Sequence, residues 1–144
     1  LVVKVPGNKS GEKVTQPVSL IDLYPTLVDY CNLTGNHKLN ENGGDLGGFS
    51  LRALIENPKT KKWEGPNGAL TLVGNYGNKI PLEKQNFSYR TKNYRYIKYG
   101  NGSEELYNHK NDPYEWSNIA SEKKYKKIRK QLAAEMNEII YSKK

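Results

Sequence analysis

Apolar and polar positions alternate most regularly in the second half of the chain. Tyr94, Tyr96 and Lys98 interleave with Arg95, Ile97 and Tyr99, the period of two expected of a half-buried strand. Gly100-Asn101-Gly102 supplies residues that tolerate positive φ in a tight turn, and Glu105-Leu106-Tyr107 returns as the partner strand. Ala69 to Val73 and Phe87 to Arg90 read as two further strands, which predicts an antiparallel sheet of about four strands. Asp112-Pro113 breaks the pairing and opens a turn, with Trp116 and Ile119 as apolar anchors of the loop that follows. From about Ser121 the period changes: Tyr125, Ile128, Leu132, Met136 and Ile139 recur at intervals of three and four, one face of a last helix.

The first half is more broken. Leu1 to Val5 reads as a strand ending at Pro6-Gly7, followed by a polar loop to Lys13. Ser19 can cap a helix whose third position is Asp22, a variant of the capping box, and Pro25 is tolerable only near the start of that helix. Leu20, Leu23, Leu27 and Tyr30 would face its core. Thr34 to Gly48 reads as an irregular loop, Ser50 to Glu56 as a short helix stopped by Asn57-Pro58, and Lys59 to Asn67 as another polar loop around Trp63.

Composition adds three points. The 144 residues are 35% hydrophobic and 26% charged, enough for a modest core, and eleven tyrosines can bury rings while keeping their hydroxyls at a wet edge. The single cysteine excludes an internal disulfide, and no run reaches the length of a membrane helix. The sole methionine is Met136 and Leu1 opens inside an apolar run, so the chain is expected to be part of a longer protein.

The net charge of +8 is unevenly placed. Ser121 to Lys144 holds seven Lys and one Arg against three Glu, a net +5, with Lys143 and Lys144 near the negative end of the helix dipole. This is first a solvated helix face, with attraction to an acidic polymer as the functional alternative. Nucleic acid is not expected, because no recognised nucleic-acid module is present.

Single residues offer little chemistry. His109 is expected to be a neutral His bonded to a loop carbonyl rather than a proton donor, and His37 a surface residue without a second ligand at metal spacing. Glu104 and Glu105 would point to opposite faces of a strand, which argues against a paired-carboxylate site. Asp112 reads as a turn former and Cys31 as a small core residue.

Three blocks carry a family resemblance. Tyr94 to Ala120, YRYIKYGNGSEELYNHKNDPYEWSNIA, resembles the C-terminal signature of the sulfatase family, a YRYI hairpin with EELY, then DP-x-E and N-(L/I)-A. Val18 to Tyr30, VSLIDLYPTLVDY, after Leu1 to Gly7, LVVKVPG, resembles the family's PG strand and VS-x-x-D-x-x-PT-L segment, and Gly47 to Ile55 its G-x-SL-x-x-L stretch. The nearest subgroup is similar to iduronate-2-sulfatase-like enzymes acting on sulfated polysaccharides.

The resemblance implies an alkaline-phosphatase-like architecture. The fold class would be α/β, with an α+β C-terminal part in which an antiparallel sheet of about four strands is packed by the C-terminal helix. Residues 1–56 would be the tail of the large α/β domain and residues 64–144 the C-terminal subdomain. It also implies sulfate-ester hydrolysis by the full-length enzyme, with a formylglycine nucleophile and calcium. Cys31, followed by Asn32-Leu33-Thr34-Gly35, does not fit the C/S-x-P-x-R nucleophile motif, and no serine fits it either. No catalytic or metal-binding residue is therefore expected here, and this chain alone is expected to be inactive.

Substrate contact is expected at Phe87-Ser88-Tyr89-Arg90, which matches an H-(S/A)-V-R stretch of polysaccharide-acting relatives. Arg90 would hold a carboxylate or sulfate bidentately, with Ser88 beside it; a surface-paired strand arginine is the alternative. Phe87 departs from the common histidine. Asn75 to Asn78 is a second, looser candidate for a cleft-lining loop. The implied partners are a sulfated carbohydrate and the rest of the sulfatase domain. Abundant Lys, Asn and Tyr suit an AT-rich genome and an exported bacterial enzyme, periplasmic or secreted. The alternatives are a non-catalytic module binding anionic polymers, or part of a related phosphoesterase.

Overall fold

A computed structural model describes residues 1–7, 11–35, 37–38, 40–43, 45–74 and 80–142. Its elements are α1 (Leu23–Tyr30), α2 (Arg52–Glu56), β1 (Gly68–Val73), β2 (Asn86–Thr91), β3 (Tyr94–Lys98), β4 (Glu104–Asn108) and α3 (Lys126–Tyr141), with short 3-10 turns at Leu20–Asp22, Leu82–Lys84 and Lys123–Tyr125. The chain divides into two units, Leu1–Gly65 and Pro66–Lys144.

In the second unit the four strands form one antiparallel sheet in sequence order, β1-β2-β3-β4. Tyr89 pairs with Tyr96 and Tyr96 with Leu106, so the large side chains stack across three strands on one face. Phe87, Tyr89, Tyr96 and Leu106 meet Ala120, Leu132 and Met136 in a single core, with Tyr125, Ile128 and Ile139 packed at its margin. The predicted stripe of α3 is thus the one that covers the sheet. The tyrosine hydroxyls stay satisfied: Tyr89 donates to Glu135 Oε2 at 3.2 Å and Tyr96 to Glu104. Burial of the rings, and the carboxylates that accept their hydrogen bonds, push both phenols above their ordinary pKa. Glu104 also receives Arg129 of α3 at 2.9 Å, a tie between sheet and helix.

The β3–β4 connection depends on glycine. Gly102 has φ +89°, and a Cβ on Gly100 would lie 1.9 Å from the Lys84 carbonyl oxygen. Close approach lets the Gly100 N–H donate to Asn86 Oδ1 at 2.9 Å.

The first unit is organised by polar groups. Asp22, 4% exposed, accepts the Ser19 N–H on Oδ2 at 2.8 Å and the Phe49 N–H on Oδ1 at 2.9 Å. The Thr26 hydroxyl donates to the Asp22 carbonyl at 2.6 Å and accepts the Leu51 N–H at 2.9 Å. Two buried side chains thereby fasten the segment at 49–51 to α1, and Leu51 and Leu54 are buried. Trp63 donates its indole N–H to the Ser50 carbonyl at 3.1 Å.

Several expectations fail in this unit. Leu1 to Val5 is extended chain with no ladder partner among the described residues, and therefore not a strand. Leu20 and Leu27 are 78% and 55% exposed: the helix turns Asp22 and Thr26 inward, because their hydrogen bonds close the loop at 49–51. Cys31 is exposed at the C-terminal end of α1, beyond the face that packs.

Candidate functional site

The sheet face opposite the core carries Ser88 and Arg90 of β2 with Arg95 and Ile97 of β3, because residues two apart share a face. The ladder sets Arg90 between Ala69 and Arg95, and Ser88 between Thr71 and Ile97. All four side chains of β2 and β3 on this face are half-buried. Arg90 Nη1 donates to the carbonyls of Thr91 and, at 3.3 Å, Tyr94, which fixes the guanidinium over the β2–β3 turn. No carboxylate pairs with it among the described residues. Burial, and then the neighbouring Arg95 guanidinium, hold its pKa below the usual arginine value, with Glu115 opposing. Arginine stays cationic at neutral pH.

Arg95 leads to a second cluster. Its Nη1 donates to Glu115 Oε2 at 3.2 Å. Its Nε lies 3.1 Å from Glu115 Oε1 without its N–H aimed at it, so that contact is one of charge rather than a hydrogen bond. His109 Nε2 sits 2.5 Å from the same Oε1. His109 is thus held by a carboxylate, where a loop carbonyl was expected: the turn at 108–112 folds back and brings Glu115 to it. Asp112 makes that turn. Its carboxylate accepts the N–H groups of Ser117 at 2.9 Å and Trp116 at 3.0 Å, and these bonds hold it below the ordinary carboxylate pKa.

Trp116 does not anchor this loop. It is 84% exposed, and stacks on Tyr114, 73% exposed, with ring centroids 5.4 Å apart and planes at 24°. Ile119, by contrast, packs on the core. Hydrophobicity alone misassigned Trp116, because the Asp112 cap and the Glu115 tether fix the backbone direction and turn the indole outward. The signal for Arg95 was present: strand alternation and the hairpin register place it beside Arg90.

His37 meets Tyr24, its Nδ1 3.3 Å from the hydroxyl, with the rings edge-on. Glu105 accepts the Tyr107 hydroxyl at 2.9 Å while Glu104 serves the core face, so the two do not pair. Asn75 to Asn78 lies outside the described residues. Among the described residues no group of three or more His, Cys, Asp or Glu side chains converges. Cys31 lies in no C/S-x-P-x-R context. Neither calcium nor a formylglycine precursor fits the residues described, and no chemical step through either is derived. No helix among them is long and apolar enough to cross a membrane.

With the geometry in hand, comparison with known proteins settles the family. The sequence pattern of "N-sulphoglucosamine sulphohydrolase, C-terminal" matches residues 1–142. The chain belongs to this sulfatase C-terminal family. It is 33% identical over 125 residues to arylsulfatase K of Danio rerio, covering 85% of the chain and 22% of that protein. It is 29% identical over 121 residues to a sulfatase of Formosa agariphila, covering 84% and 20%. A protein solved in complex with its substrate D-glucosamine-2-N,6-O-disulfate superposes with TM-score 0.63 at 25% identity, covering 82% of the chain and 23% of that structure. The chain therefore spans about a fifth of the length of these relatives, and its sheet with α3 is the sulfatase C-terminal fold.

Proposed function

We propose that the chain is the C-terminal part of a sulfatase that hydrolyses sulfate esters of a sugar or polysaccharide, in which it shapes the substrate cleft. The observation that carries this reading is the family match across residues 1–142. In this reading residues 1–56 are the tail of the large α/β domain and residues 64–144 the subdomain. The exposed Leu20, Ile21 and Leu27 of the first unit support a segment built to be completed by further chain. The nucleophile, as formylglycine, and a calcium ion belong to upstream parts of the enzyme. The enzyme is taken to be exported, periplasmic or secreted.

Arg90 is the proposed substrate contact, with Ser88 beside it. Its Nη1 is committed to the β2–β3 turn, while the rest of the fork has no partner among the described residues. That arrangement suits a sulfate or carboxylate oxygen. The substrate printed for the solved relative, D-glucosamine-2-N,6-O-disulfate, is the class of ligand expected here.

The test compares two proteins. The 144-residue chain is expected not to turn over an aryl sulfate, whereas a protein extended upstream through the C/S-x-P-x-R motif does; turnover by the short chain would overturn the reading. In the extended enzyme, Arg90→Ala removes charge-assisted hydrogen bonds of about 1.5–3 kcal/mol. The KM for a sulfated glucosamine then rises about tenfold to a hundredfold, with partial recovery in Arg90→Lys. An unchanged KM would remove Arg90 from the site.

A further inference from the structure

The loop between β4 and α3 holds its two largest rings in water, and holds them stiffly. Asp112 accepts the Trp116 and Ser117 N–H groups, and Glu115, between the two rings, has φ +60°, a left-handed conformation costly for a residue with a Cβ. Its carboxylate is tied to Arg95 and His109. The strain places Tyr114 and Trp116 on the same side, stacked on each other, and leaves an outer indole face uncovered.

Charge points to one kind of occupant. The Glu115 charge is met by Arg95, and the Asp112 charge by backbone N–H groups. Exposed Lys110, on the same turn, has no ion-pair partner among the described residues and offers its ammonium to an anion. The loop is also fastened, through Glu115, to Arg95, the cross-strand neighbour of Arg90.

We propose that Tyr114 and Trp116 form a stacking platform for a sugar ring of an anionic polysaccharide, an auxiliary binding site flanking the Arg90 face. The polarised C–H groups on one side of a pyranose meet the electron-rich indole face, and Lys110 attracts the polymer's acid groups. The choice of polymer rests on the sulfated-sugar reading above; the platform itself rests on the two rings and their loop.

Isothermal titration of the 144-residue chain with a heparin hexasaccharide, and with the same hexasaccharide desulfated and N-acetylated, tests it. Trp116→Ala is expected to weaken both probes about tenfold, with near-UV dichroism of the remaining aromatic core retained, and Trp116→Phe to recover most of the loss. Raising salt should weaken the sulfated probe more than the desulfated one, because stacking is not screened. Equal affinity of wild type and Trp116→Ala for both probes would overturn the platform and leave the sulfatase reading untouched. So would a wild-type self-association, seen by sedimentation, that Trp116→Ala abolishes without changing sugar binding; the rings would then be a contact between copies. Loss confined to the desulfated probe would keep the platform and count against sulfated sugar as the natural ligand.

Discussion

The two units of the chain rest on different balances of apolar and polar burial. In Pro66–Lys144 the buried side chains are large and mostly apolar: Tyr89, Tyr96, Leu106 and Met136 are almost wholly enclosed between the sheet and α3. In Leu1–Gly65 a carboxylate and a hydroxyl, Asp22 and Thr26, lie inside beside the smaller apolar pair Leu51 and Leu54, while Leu20 and Leu27 lie outside. Apolar burial is non-directional and tolerates exchange of shape, whereas a buried carboxylate needs each of its donors in place. The second unit therefore has a large apolar core, whereas the first leans more on a few directional bonds, whose loss cannot be averaged over neighbours.

The largest effect that would probe this contrast is in the apolar core. Leu106→Ala deletes a fully buried side chain under α3, and should destabilise the sheet and helix by about 2–5 kcal/mol. Urea unfolding followed by the near-UV signal of the core tyrosines checks it; a loss below about 1 kcal/mol would mean that the sheet–helix core is not what holds the second unit.

A smaller and more local change is expected from Asp22→Ala. It leaves the Ser19 and Phe49 N–H groups without their acceptor, a cost of about 1–3 kcal/mol for buried donors. Amide exchange at Phe49 and Leu51 should accelerate while exchange at Tyr96 and Leu106 stays as it was. Acceleration in both places would break the distinction between the units.

The smallest effect is pH-dependent and sharpens the comparison at the surface. Asp29 is held below the ordinary 3.8 by the Ser50 hydroxyl and by Arg52, and Asp112 by the Ser117 and Trp116 amides. A carboxyl whose folded pKa is depressed stabilises the fold above its unfolded pKa, and loses that contribution as pH falls through the folded value. Both loops should therefore loosen only below about pH 4. Asp29→Asn should flatten the acid response of amides near Ser50, and Asp112→Asn that of Trp116 and Ser117. Identical acid profiles in variant and parent would show that these bonds do not matter to stability.

How much was legible in advance differs in the same way. The hairpin, its turn at Gly100 to Gly102 and the apolar stripe of α3 follow from periods of two and of three to four, which are local properties of a chain. Arg90 and Ser88 could be placed on one face by the same alternation. Leu20, Leu27 and Cys31 were misplaced because local spacing says which side chains share a face but not which face is buried. Trp116 was misplaced because Asp112 and Glu115 reach backbone and side chains at four to twenty residues' distance.

By itself, the sequence determined the antiparallel strands and last helix of the second unit and membership of the sulfatase C-terminal family, since motif strings and periodicity are written in neighbouring residues. Tertiary structure alone decided that Asp22 and Thr26 point inward, that Arg95 binds Glu115, and that Tyr114 and Trp116 stack in solvent. Each of these depends on a hydrogen bond, register or charge contact between residues far apart in the chain, and such contacts exist only once the chain has folded.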